Sequence, residues 1–439
     1  MGRKQVWCAE AKVNEFVRDG ICGMARKYVL SFLDQGLLSA FNFALGFVLI
    51  RTWQPEEFGV FAFWQTVALF CVGIQNALVN TPFSVFVPTC ETDSEREGAE
   101  RMLSSVNVRL IAVLVGSVAA ANLLFPLAGS VSPAVTAAVA AYVGGMLLRE
   151  YARGVGFGRQ RPETALRADV VHLVIACSIL VFYALDAAPL DLALVLGLLA
   201  LGNAIGGGAG IVMEGRGSIL AFDGFSRRAY GPIWKESKWA LTGVVTTELQ
   251  ARGYVYLVTA LVGLHALGIL AAGRILFAPI RVLLSAWGRV ARPYLAQAAA
   301  EGRRAAIART VLVACVVVVF ALLALYLLIY LAWPLIQGYL YRQKYDDIGW
   351  IVAGWGAVVL VSSIRSIFSI TLQSFKKFRP LAIATVHGAV VSMVSVAVIV
   401  PVFGFEMTFV GVALGEAVAL TAIVARFVGE FRSLGKAKA

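Results

Sequence analysis

The sequence predicts an all-α polytopic membrane protein of about twelve transmembrane helices, arranged as two six-helix lobes around a central cavity. Three observations carry the twelve-helix membrane reading, and an internal repeat at about half the chain length carries the two lobes. Of 439 residues, 59% are hydrophobic and only 15% are charged, a balance outside the range of water-soluble domains. The apolar residues fall in runs of roughly 20, the length at which a helix rising about 1.5 Å per residue crosses about 30 Å of hydrocarbon. Lysine and arginine are segregated between alternate connections, as in a chain threaded repeatedly through a bilayer.

The runs lie at 28-50, 58-80, 102-125, 131-149, 168-186, 190-213, 239-262, 264-288, 308-332, 348-373, 380-402 and 407-425. None shows the ten-residue alternation of a membrane β-barrel. The first follows a basic tail at 1-27 and lacks the small-residue cleavage site of a signal peptide, so it reads as a retained span. On it Gln35, Ser39, Asn42 and Gly46 recur at i, i+4, i+7 and i+11, one polar stripe along an apolar helix. Asp34 lies about 9 Å inside the span by helix rise, either paired with the basic tail or acting as a proton or cation coupling site.

The second run carries Gln65, Asn76 and Asn80. Arg109 in the third is near enough to a span end to snorkel toward headgroups. The sixth holds Gly206, Gly207, Gly208 and Gly210, as expected for close helix packing or a flexible break. In the seventh, Glu248 and Arg252 stand one turn apart, either as a self-neutralised pair or as part of a cavity where Glu248 is a second coupling candidate. The eighth carries Arg274 and Arg281, the latter again within reach of a span end. The tenth carries Ser362, Arg365, Ser369 and Gln373 on one side. Arginine makes the boundaries of the eighth and tenth runs the weakest.

Thirty of the 38 Lys and Arg fall in the tail at 1-27, the connections at 81-101, 149-167, 214-238, 289-309 and 376-379, and the tail at 426-439. Only Arg51, Arg342 and Lys344 lie in the opposite connections. The positive-inside rule then places both termini in the cytoplasm. With six runs on either side of it, 214-238 is the expected cytoplasmic link between an N-terminal lobe at 28-213 and a C-terminal lobe at 239-425, with the basic tail at 426-439 following. The net charge of +12 is spread over these segments, so it suits anionic membrane lipids rather than nucleic acid.

Five arginines, Arg109, Arg252, Arg274, Arg281 and Arg365, lie inside spans with three acids, Asp34, Glu248 and Glu416. A mid-span arginine costs roughly 2.5–3.5 kcal/mol on insertion scales, so each needs a partner, water or a snorkelling route. Arg274 and Arg365 have neither an i,i+4 acid nor a short path to the headgroups. They are predicted to contact an internal anion, with Arg252 contributing when its bond to Glu248 loosens. Gln35, Asn42, Asn76 and Asn80 are further candidate ligands, supplying amides that can hydrogen-bond the same cargo.

Other chemistries find little support. The six cysteines form no CxxC pair, and His172, His265 and His387 have no metal-ligand spacing. No cofactor is implied. The segment from Gly429 to Lys436 has five residues between its glycines where a phosphate loop needs four. Asp346 and Asp347, beside Tyr345 on the longest outer loop, read as a solvated helix start rather than as the catalytic acids of a polymerase or acyltransferase.

The turn Arg51-Thr52-Trp53-Gln54-Pro55-Glu56-Glu57-Phe58-Gly59 resembles the R-x-L-x-P-E-x-F-G signature between the first two helices of Wzx-like polysaccharide flippases. These form a branch of the multidrug, oligosaccharidyl-lipid and polysaccharide exporter superfamily. Trp53 replaces the usual leucine. Gly263, Ala271, Arg274, Pro279 and Pro293 are similar to the corresponding region of the family's second half. Phe58-Gly59 through Gln65 also align with Leu267-Gly268 through Arg274, as expected of two related halves.

The resemblance implies that the chain moves an undecaprenyl-diphosphate-linked oligosaccharide across the bacterial inner membrane by alternating access. Glycosyltransferases and a polymerase of the same pathway are its implied partners. A diphosphate suits arginine forks, which bind phosphate oxygens bidentately. The lipid II flippases of the superfamily have two more helices and a central arginine in the first, which points this chain toward a polysaccharide repeat. The competing expectation is a cation-coupled multidrug exporter, whose cationic cargo would favour an acid-rich cavity.

Overall fold

The computed structural model describes residues 33–124, 132–159, 161–186, 189–215, 219–345 and 348–433. The tail at 1-27, Asp346, Asp347 and Lys436 lie outside the described residues. The first half comprises α1 (Leu33–Thr52), α2 (Pro55–Thr89), α3 (Asp93–Leu124), α4 (Pro133–Gly158), α5 (Pro162–Leu185) and α6 (Leu192–Glu214). The second comprises α7 (Arg227–Leu261), α8 (Leu264–Ile275), α9 (Ala278–Ala300), α10 (Arg304–Leu331), α11 (Ile348–Ser374), α12 (Phe378–Phe403) and α13 (Thr408–Ser433).

Nine of the described helices are long and apolar enough to cross a membrane, or ten if the pair α8 and α9 counts as one span. That pair bends by 56° just beyond Arg274. The two remaining helices, α4 and α7, complete the expected twelve. Their hydropathy is lowered by Arg149, Glu150 and Arg153 on α4 and by Glu248 and Arg252 on α7.

Helix starts follow local chemistry. Pro55, Pro133 and Pro162 open α2, α4 and α5, where a missing N–H costs nothing and a fixed φ helps. Ahead of α2 the Gln54 N–H donates to Glu57 Oε2 at 3.1 Å, and ahead of α6 the Asp191 carboxylate accepts from the Leu194 N–H at 2.7 Å, both standard N-terminal caps. Within α2 the ladder widens to a π turn at Asn76–Asn80. There Asn80 Nδ2 donates to Asn76 Oδ1 at 2.7 Å and to the Glu150 carbonyl of α4 at 3.3 Å. The amides read as cargo ligands thus brace an irregular turn.

The glycine-rich face of α6 lets three helices close up. A Cβ on Gly207 would sit 2.8 Å from the Arg149 backbone N, and one on Gly206 would sit 2.6 Å from the Ala168 carbonyl oxygen. Gly206 and Gly207 therefore serve close packing, and α6 draws α4 and α5 together at the level of Arg149 and Asp169. The segment expected as a bare link at 214-238 is attached to the first bundle. Ser104 Oγ donates to the Ile219 carbonyl at 2.9 Å, and the Tyr230 hydroxyl donates to the Leu78 carbonyl at 2.7 Å. Ile219 and Ile233 are buried with Val79, Phe83, Leu103 and Tyr151. From there α7 runs on for 35 residues into the second bundle.

The two bundles meet most tightly where α2 crosses α8. A Cβ on Gly59 would lie 1.9 Å from the Leu264 carbonyl oxygen, and one on Gly268 would lie 1.7 Å from the Pro55 carbonyl oxygen. The contact is reciprocal and joins the positions that align between the two halves in sequence. The same end is tied by the sparse basic residues of the minor set. Lys344 Nζ donates to the carbonyls of Arg51, Thr52 and Trp53 at 3.3, 3.0 and 3.4 Å, capping the negative end of α1. Arg51 stacks 3.5 Å from the centroid of the Tyr339 ring and donates to the Tyr339 carbonyl at 2.6 Å.

Adding a methyl group at this crossing must push backbone against backbone, an overpacking cost of about 1–3 kcal/mol. Gly59→Ala and Gly268→Ala should each lower the unfolding temperature of the purified protein in detergent. Gly36→Ala, where a Cβ meets open space, should leave it unchanged. Equal behaviour of the three variants would show that the crossing is loose.

Candidate functional site: a cavity between the two bundles

Between the bundles lies a cavity of about 680 Å³, within the usual range for small-molecule sites. Its floor includes Leu45, Phe58 and Leu267, beside the Gly59–Gly268 crossing. From there it extends to Gln35 and to the exposed Arg281 and Ser285. Helices of the first bundle contribute Gln35, Ser39, Asn42, Gln65, Thr66 and Asn203, which form a mostly neutral wall of amides and hydroxyls. The second bundle contributes Arg252, Tyr254, Arg274, Arg281 and Ser285, a wall dominated by guanidinium groups.

The three arginines of that wall differ in how they are held. Arg252 is paired with Glu248 one turn away, so this pair is close to neutral. Arg274 donates to the Tyr254 hydroxyl at 3.0 Å and to the Ala251 carbonyl at 3.3 Å. Its guanidinium carbon lies 5.1 Å from the Trp355 ring centroid and 5.6 Å from that of Tyr254. Aromatic faces and a carbonyl orient the group while leaving its charge uncancelled. Arg281, expected to snorkel, instead opens into the cavity. Neither Arg274 nor Arg281 has an acid partner among the described residues.

A second group of charges lies behind the neutral wall. Arg153 donates to Asp34 Oδ2 at 2.9 Å and to Glu150 Oε1 at 2.7 Å, and its Nε forms an ion pair with Asp169 Oδ2 at 2.8 Å. Arg149 reaches Asp169 Oδ1 at 3.2 Å and itself lines the cavity. Asp34 and Asp169 are each only 1% exposed. Arg149 and Arg153, counted above with a cytoplasmic connection, are therefore buried members of α4. Three carboxylates face two guanidiniums here.

The structure thus brings Gln35, Asn42, Arg252 and Arg274 to one cavity and sets Asp34 just behind it. It leaves Asn76, Asn80 and Arg365 elsewhere. Arg365 Nε donates to Glu416 Oε2 at 2.5 Å across α11 and α13, and Gln250 Nε2 lies 3.5 Å from Glu416 Oε1. The expectation that Arg365 lacks a protein partner is corrected by Glu416, which is distant in sequence and invisible to an i,i+4 search. Arg109 donates to the carbonyls of Ser105 at 3.1 Å and Phe222 at 3.5 Å, in line with its expected reach toward a span end.

Sequence reasoning missed Arg149, Arg153 and Asp169. One signal was present: Arg149 and Arg153 stand one turn apart at the end of an apolar run, opposite a glycine-lined helix. His172 also lines the cavity. Among the described residues no group of three or more His, Cys, Asp or Glu is placed to hold a metal ion.

No protein-family model and no curated protein sequence matches the chain. Solved structures do. An inward-facing multidrug resistance MATE family transporter of the MOP superfamily superposes with a TM-score of 0.67 at 13% identity, covering 91% of this chain and 96% of that one. The lipid II flippase MurJ in an inward closed conformation gives 0.63 at 11% identity, covering 94% and 89%. An outward-facing MATE transporter gives 0.53 at 13% identity, covering 94% and 96%. The chain is therefore a multi-pass, all-α membrane protein with the two-lobed, twelve-span fold of these transporters.

Pairing state predicts two classes of arginine. Removing Arg365 strands a buried carboxylate, which costs about 3–5 kcal/mol, whereas removing Arg274 strands none. Arg365→Ala should markedly lower the unfolding temperature and Arg274→Ala should barely change it. Comparable losses would assign Arg274 to structural support.

Proposed function

We propose that this protein is a flippase-type transporter, rather than an enzyme, that carries a polyprenyl-diphosphate-linked oligosaccharide across the bacterial inner membrane. In this reading two lobes, 28-213 and 239-425, joined at 214-238, alternate access to the central cavity, with both termini in the cytoplasm. One observation carries the reading: Arg274 and Arg281 stand uncancelled in an inter-bundle cavity and face a wall of amides and hydroxyls whose one cation, Arg149, is paired with Asp169. A diphosphate matches the first wall and sugar hydroxyls match the second. The likeness to MurJ, described as a lipid II flippase, and to multidrug transporters supports transport as the general role. Enzymes that build and polymerise the cargo are the partners this reading calls for.

The lipid tail stays in the bilayer, so the cavity needs to accept only the headgroup. Losing one charge-assisted contact costs about 1.5–3 kcal/mol, or roughly ten- to a hundredfold in binding. In proteoliposomes holding labelled lipid-linked oligosaccharide, Arg274→Ala and Arg281→Ala should each slow relocation by that order, with lysine rescuing in part. Normal relocation by the double alanine variant would reject the cationic wall as the cargo site.

A cation-coupled multidrug exporter is the second reading, and the cluster around Asp34 favours its coupling element. Asp34, Glu150 and Asp169 outnumber Arg149 and Arg153 by one charge, so a proton or monovalent cation completes neutrality in a buried site. Asp34 precedes the cavity residue Gln35 on α1, which gives occupancy a direct path to the wall. Glu248, bound to Arg252, is assigned here to the ion pair. If Asp34 holds the coupling ion, Asp34→Asn should flatten the pH and sodium dependence of transport. An unchanged dependence at equal protein level would remove Asp34 from that role.

A further inference from the structure

On the outer surface of the second bundle, away from the central cavity, α9 and α10 diverge to leave a groove of about 640 Å³. Trp287 and Tyr294 of α9 line one bank, and Ala305, Ala306, Arg309, Thr310 and Val313 of α10 line the other. Its surroundings identify the solvent. The most apolar 18-residue stretch of α10 has a mean hydropathy of 3.2, the highest among the described spans, and only 22% of it is buried. The outward face of that stretch lies in hydrocarbon, so the groove opens toward acyl chains at its Val313 end.

The polar members stand toward the turn between α9 and α10, where a membrane-water interface is expected. Arg309 is exposed and has no acid partner among the described residues. Arg303 stacks 5.7 Å from the Tyr294 ring centroid at the same end. Thr310 is already engaged, donating to the Ala306 carbonyl at 2.8 Å. An unpaired guanidinium beside an aromatic-lined apolar groove needs an anion that also carries a chain. Basic pockets between transmembrane helices recognise anionic lipid headgroups on this basis, and aromatic side chains favour the interfacial level.

We propose that this groove binds one anionic glycerophospholipid, with its phosphate on Arg309 and the Tyr294 hydroxyl and an acyl chain along Trp287 and Val313. The site is independent of the cargo reading. It also has a mechanical consequence, because α9 presents Arg281 and Ser285 to the cavity from its opposite side. A lipid wedged behind α9 buttresses the helix that carries one of the cavity's uncancelled cations.

Brominated acyl chains test the proposal through tryptophan quenching. The full-length protein is placed in nanodiscs of phosphatidylcholine containing a minor fraction of brominated phosphatidylglycerol or brominated phosphatidylcholine, and Trp287→Phe identifies the Trp287 component. Phosphatidylglycerol should quench that component several-fold more than phosphatidylcholine. Arg309→Gln should abolish the preference, and Arg309→Lys should keep most of it. Equal quenching by both lipids in the unaltered protein would reduce the groove to ordinary lipid contact. A preference that survives Arg309→Gln would remove Arg309 from the site. Displacement by millimolar inorganic phosphate, or by polyprenyl phosphate at low mole fraction, would overturn the assignment to phosphatidylglycerol in favour of a free anion or the carrier lipid. If Arg309→Gln cannot be purified, loss of the preference in high salt serves the same purpose, and persistence there counts against it.

Discussion

A guanidinium inside hydrocarbon must be paired, stacked or wetted, and the arrangement of this molecule follows from how it meets that requirement. Arg365 and Arg153 are paired with carboxylates from other helices. Arg109 reaches carbonyls near a span end. Arg274 and Arg281 are left for the cavity, the first stacked on aromatic faces and the second open to it. The helices least able to cross a bilayer by themselves, α4 and α7, carry several ionised groups: Arg149 and Arg153 of α4 meet Asp169 and Asp34 of other helices, whereas Arg252 of α7 meets Glu248 of its own helix and lines the cavity.

The distribution of charge around the cavity has a mechanical side. The first bundle lines the cavity with amides and hydroxyls and one cation, Arg149, whereas the second contributes Arg252, Arg274 and Arg281, so a ligand with an anionic end and a hydroxyl-rich end would contact both bundles at once. Such a ligand acts as a strut between bodies that otherwise touch most closely at the Gly59–Gly268 crossing. Behind that wall, the carboxylate surplus includes Asp34, the residue next to Gln35 on α1. A change of charge there needs to move α1 only slightly to alter what the cavity offers.

The spans were legible because a run of apolar residues is a local property, and Gln35, Asn42, Arg252 and Arg274, picked out by helical period, line one cavity. What failed were judgements that depended on another helix. Arg365 looked unpartnered because Glu416 lies on a different helix. Arg149 and Arg153 looked solvated because they follow an apolar run, although the close approach permitted by Gly206 and Gly207 buries them against Asp169. Asn76 and Asn80 carry the right chemistry for sugars but are spent on a π turn, a backbone irregularity that side-chain pattern does not announce.

The chain is non-helical at 221–226 and then enters the second bundle through the long helix α7, and this changes what kind of machine the fold can be. A flexible tether lets two bodies rotate independently, whereas α7 begins among the side chains of the first bundle and continues without interruption into the second. Any rocking of one half is delivered to the other as torque along a stiff rod about 52 Å long at the standard helical rise. The rod has one built-in compliant point at Pro232, where the ring removes a ladder hydrogen bond and crowds the preceding turn. Motion is thus concentrated near the first bundle, and the remainder of α7, with Arg252 and Tyr254, swings as one piece.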